Sequence, residues 1–297
     1  MPAGLRDSPA APLAPVPTRP GPLPVLHLDE RLVVVSKPSG LLVHRTQLDA
    51  HEEWAALQLV RDQIGQHVYP VHRLDKGTSG ALAFALDPGM ASCWAQALEE
   101  GSGRQVRKTY AALVRGWPPA EGVIRHPLAR DPEKPSQGQP MLAACTRFWR
   151  LGCLEWPESA DGRFPTTRHA LVVVRIDTGR RHQIRRHFKH LAHPLLGDTT
   201  HGKSEHNRFI ARMAEEHRLW LHARSLSWDV GTGPAGRGQA LAPWPAAWQA
   251  ASQWPWQWDP AWVERLGQPP LALDEAGWWR LEAWLDQATP PDGPAGG

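Results

Sequence analysis

Along most of this chain the apolar residues come in short runs broken by polar turns, a pattern of strands more than of long helices. Runs at 26–28 and 32–35 read as two strands joined by the turn Asp29-Glu30-Arg31, and Lys37-Pro38-Ser39-Gly40 ends the second. Residues 51–64 instead place Trp54, Leu57, Val60 and Ile64 at helical spacing, which predicts a helix with one face on a sheet. The run 81–86 has the length of a buried strand, Pro88 suits a helix start, and that helix is expected to continue through residue 99. A strand follows at 109–114.

The stretch 130–140 is polar and Pro-rich and reads as a surface loop. Strands resume at 144–149 and 170–176; in the latter, Leu171-Val172-Val173-Val174 is continuously apolar, as in a strand buried on both faces. Gly179 breaks it before a helix over 181–191, with Ile184, Phe188 and Leu191 on the apolar side and Arg181, Arg185 and Arg186 at the margins. A helix over 205–216 and a strand over 219–222 come next. Strands outnumber helices and are not spaced as repeated βαβ units, so the expected class is α+β, a mixed, largely antiparallel sheet with flanking helices.

A chain of 297 residues can bury a substantial core, and 41% hydrophobic with 21% charged residues is the composition of a soluble globular protein. The expected organisation is a disordered Pro-rich tail over 1–23, one catalytic domain over 24–240 and a Trp/Pro-rich extension over 241–297. The extension holds nine tryptophans from Trp244 onward. Without an interleaved basic run, they are expected to cover the domain's own surface and not to stack on bases. No apolar run approaches a membrane span, and the N-terminus lacks the apolar stretch of a signal peptide. Cys93, Cys145 and Cys153 form no disulfide framework, which points to a reducing cytoplasm.

A net charge of +3 does not announce a nucleic-acid partner, but its distribution is uneven. Between Arg175 and His190 six Lys or Arg residues stand against Asp177 alone, and Arg104, Arg107, Lys108 and Arg115 form a second cluster. Such runs are commonly solvated faces; two of them around one catalytic set suit a rim for phosphates.

The chemistry is expected at Asp75, in His72-Arg73-Leu74-Asp75-Lys76-Gly77-Thr78-Ser79-Gly80, a turn running into the apolar strand 81–86. Alone, this segment reads first as an Asp capping its own turn with Arg73 as ion partner. It resembles, however, the catalytic motif of the pseudouridine synthases with a His-Arg-Leu-Asp signature. Lys108-Thr109-Tyr110 resembles their second motif and Thr178-Gly179-Arg180-Arg181-His182-Gln183-Ile184-Arg185 their third, in the same order. The segments 61–68 and 162–168, and Gly197-Asp198 with His201-Gly202, resemble the branch acting on uridine 65 of transfer RNA. The likeness runs from about residue 24 to about residue 230.

The resemblance implies the synthase catalytic fold without a separate N-terminal RNA-binding domain, and a uridine in structured RNA, with transfer RNA the favoured partner. Asp75 is then the catalytic carboxylate, Arg185 its ion partner, Ile184 the residue packing below the base, and Tyr110 the ring that stacks on it and accepts or relays the C5 proton. Arg73 fills the gap left by the everted nucleotide, and Lys108, Arg180 and Arg181 bind substrate. Breaking the N1–C1′ bond and joining C5 to C1′ needs no redox step, so no cofactor is expected. His182, His187, His190 and His193 lie close together without metal-ligand spacing, so no metal is expected either. A monomer is favoured. Rival readings are a ribosomal RNA synthase of the same family, an N-glycosidase, which ordinarily has a second carboxylate, and a non-catalytic RNA-binding module.

Overall fold

The computed structural model describes residues 20–45, 52–98, 105–231, 233 and 236–288. The predicted tail falls outside them as far as residue 19, as do Arg104 and the ends of the two predicted helices at residues 51 and 99.

In chain order the first half holds β1 (Val25–Leu28), β2 (Leu32–Lys37), α1 (Ala56–Ile64), β3 (Tyr69–Pro70), β4 (Ser79–Ala85), α2 (Pro88–Ala97) and β5 (Gln105–Arg115). Next come β6 (Glu121–Ile124), β7 (Leu128–Ala129), β8 (Met141–Leu142), β9 (Thr146–Trp156), β10 (Thr167–Ile176), α3 (Gln183–His190), α4 (Ser204–Ala214), β11 (Leu221–Asp229) and β12 (Arg237–Leu241). The C-terminal part adds α5 (Ala246–Ala251), β13 (Gln257–Trp258), α6 (Pro260–Leu266) and α7 (Glu275–Gln287).

Eleven strands form one sheet with the path β1-β2-β4-β11-β5-β10-β9-β13. Every pairing along it is antiparallel except β4 with β11. This is the mixed, largely antiparallel sheet with flanking helices that the strand pattern predicts. One face carries Leu82, Tyr110, Val172 and Val174 against α1 and the Ile184 and Phe188 side of α3. Ala111, Leu113, Leu171 and Val173 on the other face meet Trp248, Trp262 and Trp278 of the C-terminal helices. Such double burial explains why 171–174 lacks alternation.

Some boundaries differ from the expected ones. α1 begins at Ala56 and buries Ala56, Leu59 and Val60, while Trp54, Leu57 and Ile64 pack only in part. β11 runs on to Asp229 through Arg224, Ser225 and Ser227, beyond the apolar run. The strand is longer because Arg224 and Ser225 are buried there beside the C-terminal segment: Arg224 donates to the Ala242 carbonyl and Ser225 to Glu282. Asp87 is the N-cap of α2, accepting from the Met90 amide at 2.8 Å, and is paired with Arg31. No helix among the described residues is long and apolar enough to cross a membrane.

Candidate active site

The Asp75 turn is held from below by the last residue of β2 and the loop after it. Lys37, only 1% exposed, donates to the carbonyls of Pro38 at 2.8 Å, Leu41 at 2.7 Å and Lys76 at 3.2 Å. Ser39 donates to the Gly77 carbonyl at 2.7 Å, and the Gly40 amide to the Lys76 carbonyl at 2.9 Å. Burial pulls the Lys37 ammonium down to about 7 against the opposing pull of Asp75. His72 accepts the Ala83 amide through Nε2 at 3.1 Å, which leaves the ring proton on Nδ1. Burial lowers the pKa of that ring to about 3 and keeps it neutral. Gly80 completes the turn with φ +116°, and a Cβ there would lie 2.1 Å from the Ala223 carbonyl oxygen of β11. A glycine is therefore required for the parallel β4–β11 contact that backs the site.

On the opposite side, α3 delivers Arg185. His182 enters the helix in the left-handed region, φ 54° and ψ 28°, and the buried amide of Gln183 pins the turn. Its oxygen accepts from Thr178 at 2.7 Å and the Arg180 amide at 3.0 Å, while its nitrogen donates to the Cys145 carbonyl at 2.9 Å. Arg185, expected at the helix margin, instead turns inward and is 8% exposed. Its Nε and Nη2 donate to the two oxygens of Asp198 at 2.7 and 2.8 Å, and its Nη1 donates to Asp75 at 3.1 Å. Burial pushes the Asp198 carboxyl up, but Arg185 and the amides of His201 and Thr200 outweigh it and hold the group below the usual carboxylate range.

Asp75, Tyr110, Ile184 and Arg185 line one cleft of about 700 Å³. The Asp75 side chain keeps 18% of its surface exposed, so a substrate atom can reach it. Tyr110 projects from β5 and is 5% exposed; burial, aided by Asp75, raises its phenol, which stays protonated at neutral pH. Arg73, Lys108, Arg180 and Arg181 line the same cleft. Among the described residues Arg73 and Lys108 have no ion-pair partner, and burial brings Lys108 down to about 8. Arg180 donates to the Ala143 carbonyl at 2.9 Å, and Arg181 pairs with Asp131 and Glu133 of the loop over 130–140.

All eight residues singled out from the sequence thus meet at one opening. Three that hold them were not singled out: Lys37, Gln183 and Asp198. Gln183 and Asp198 stand in segments that carry the resemblance and Lys37 in the turn that ends β2, but only the fold reveals what their side chains grip. Of the clustered histidines, His187 bonds Thr146 at 2.8 Å and the His126 carbonyl at 2.9 Å, His193 bonds the Arg115 carbonyl at 2.8 Å, and His182 lines the cleft with Nε2 4.0 Å from Asp75. Among the described residues no group of three or more His, Cys, Asp or Glu is placed to hold a metal ion.

One carboxyl group under an anchored guanidinium, with a phenol ring in the same cation-rimmed cleft, suits a nucleic-acid-modifying enzyme that works on a single base. The family model described as RNA pseudouridylate synthase matches residues 31–190, and the chain belongs to that family. Curated relatives named tRNA pseudouridine synthase C include one from Vibrio parahaemolyticus, 45% identical over 209 residues, covering 69% of this chain and 83% of the relative. Another, from Yersinia pestis, is 41% identical over 209 residues, covering 69% of this chain and 80% of its own. Among solved structures, Human RNA Pseudouridylate Synthase Domain Containing 1 superposes with a TM-score of 0.56 at 24% identity, over 77% of this chain and 87% of that one, a likeness of fold. The enzyme is an RNA pseudouridine synthase, an isomerase.

Proposed function

We propose that the chain converts uridine 65 of transfer RNA to pseudouridine, with Asp75, Tyr110 and Arg185 as the catalytic set. The observation that carries this reading is the 3.1 Å contact between Arg185 and Asp75 inside a cleft that Tyr110 also lines. The transfer RNA substrate is supported by the names of the curated relatives, and position 65 by the segments at 61–68 and 162–168 and by Gly197-Asp198 with His201-Gly202.

The uridine leaves the helix and enters the cleft, where Ile184 and Tyr110 pack on the base and Arg73 occupies the place it vacated. Arg185 donates to the Asp75 carboxyl at 3.1 Å and sets an opposite charge beside it in the closing site. The carboxylate then acts as nucleophile at the sugar or uracil, or as base at C2′. The N1–C1′ bond breaks, the uracil rotates, C5 joins C1′, and the C5 proton departs as N1 takes one up. Tyr110 is neutral, so it relays that proton by giving up its own as it accepts another. Lys108 and Arg180 bind phosphates at the rim, and Arg181 joins them once its acids yield.

We further read residues 24–240 as the catalytic domain and 241–297 as an extension packed on it, in a monomer acting in the cytoplasm. An N-glycosidase is disfavoured because the other cleft-lining acids among the described residues, Asp177 and Asp286, are both paired with arginine. A release assay with C5-tritiated uridine in transfer RNA tests the proposal. Tritium is expected from the native protein and none from Asp75→Asn, and a map of the product should place pseudouridine at position 65. Release from ribosomal RNA alone moves the substrate within the family; normal turnover by Asp75→Asn removes the site assignment.

A further inference from the structure

α7 lies beyond the span matched by the family model, residues 31–190, yet its last turn reaches the active cleft, where Leu285 and Asp286 form part of the lining with Arg107 and Arg175. Trp278, Leu281 and Leu285 anchor the helix in the core on the far face of the sheet. Glu282 lies beneath, accepting hydrogen bonds from Thr109, Arg175, Ser225 and Trp278. One turn on, the two oxygens of Asp286 take different arginines, Oδ2 from Arg107 Nη1 and Oδ1 from Arg175 Nη1, each at 2.8 Å.

On this wall two guanidiniums meet two carboxylates, and the charge sums to zero. Elsewhere in the same cleft Arg73, Lys108 and Arg180 are engaged by no carboxylate among the described residues. The two paired arginines are also unequal. Arg175 is 12% exposed and tied to Glu282 as well, so it is fixed; Arg107 is 44% exposed and, among the described residues, held otherwise by Gln105 alone.

We propose that Asp286 determines RNA specificity: it withholds Arg107 from backbone phosphates and so confines the RNA to the side of the cleft built by Arg73, Lys108 and Arg180. A phosphate that reached Arg107 would displace a carboxylate and remain beside its charge, a repulsion strengthened by the partly desolvated cleft. RNAs whose backbone needs that wall are rejected, whereas a substrate threaded along the other side is not. The proposal rests on RNA being the substrate and assigns the C-terminal extension a part in choosing it.

The test compares dissociation constants of the full-length protein and Asp286→Asn for transfer RNA and for an unrelated structured RNA of equal length, across a salt series. The variant is expected to bind both RNAs about two- to five-fold more tightly at low salt, the scale of one surface ion pair. Its log–log salt slope should steepen by roughly 0.9 for each new phosphate contact. The unrelated RNA should gain more than transfer RNA, so the preference narrows, and an equal gain overturns the specificity role. Unchanged or weaker binding, with the melting temperature maintained, overturns the proposal. If the melting temperature falls, Arg107→Gln decides: affinity within two-fold of the native protein supports the gate, and a ten-fold loss shows that Arg107 already contacts RNA and ends it. A native protein that binds transfer RNA but releases no tritium would sink the functional reading while the binding comparison stands.

Discussion

Arg185 and Asp198 meet through two hydrogen bonds, at 2.7 and 2.8 Å, and this pair aims the remaining Nη1 of the arginine at Asp75. Asp198 touches no cleft surface; its side chain is fully buried. It is therefore a positioning residue, and Asp198→Asn should act through Arg185. Removing one charge of a buried pair costs about 3–5 kcal/mol. Turnover should drop roughly ten- to hundred-fold with KM little changed, because the substrate-facing cations stay in place. Urea unfolding and steady-state tritium release measure the two effects, and a kcat within two-fold of native would refute the positioning role.

Gly80 makes a sharper structural prediction. Both its φ of +116° and the 2.1 Å approach to the Ala223 carbonyl exclude a Cβ, and β11 cannot retreat because β5 holds its other edge. Gly80→Ala is expected to cost upwards of about 3 kcal/mol, the combined scale of backbone strain and an overpacked contact. A urea midpoint equal to that of the native protein would contradict it.

These two positions mark what the sequence could and could not tell. Asp75 and Arg185 were legible through the resemblance of their motifs, since the pattern of apolar and polar positions alone left Asp75 a turn cap and put Arg185 at a helix margin. Asp198 was not, since a carboxylate in a loop has no periodicity and its partner is named only by the fold. The extension of β11 was hidden for a related reason: Arg224, Ser225 and Ser227 read as a polar exit from the sheet, and two of them are buried, Arg224 against Trp244 and Trp278 and Ser225 against Glu282 of α7. α7 itself carries Trp278, Leu281 and Leu285 at helical spacing, a signal masked by the prolines and tryptophans around it.

The buried histidines predict the acid response. Burial pulls the imidazoles of His72, His169 and His222 down to about 3, while in the unfolded chain they titrate near their ordinary value of 6.5. Between those limits the unfolded state binds more protons, so stability rises with pH and is lost as pH falls below about 6.5. Each group contributes at most about 1.4 kcal/mol per pH unit within the window. Carboxylates with lowered values, such as Asp198, add their loss only below about pH 4. Urea midpoints measured at pH 7, 6 and 5 should decline step by step, and a flat profile over that range would show that these rings accept protons in the folded state.

Tyr110 offers the cleanest separation of packing from proton transfer. Its ring is 5% exposed and belongs to the core cluster that includes Ile184, so Tyr110→Phe preserves the surface on which a base can stack and removes only the hydroxyl. If the hydroxyl relays the C5 proton, the variant should bind transfer RNA as the native protein does, while tritium release slows by about 10²- to 10⁴-fold, the usual weight of a positioned proton donor or acceptor. A solvent isotope effect on release should change along with it. If the ring only stacks, Tyr110→Phe keeps its rate and Tyr110→Ala loses both rate and affinity. Because burial holds the phenol protonated, loss of activity through ionised tyrosine is not expected up to pH 10, and a fall in kcat centred near that value would show that the ring is far more open to water than its place on β5 allows.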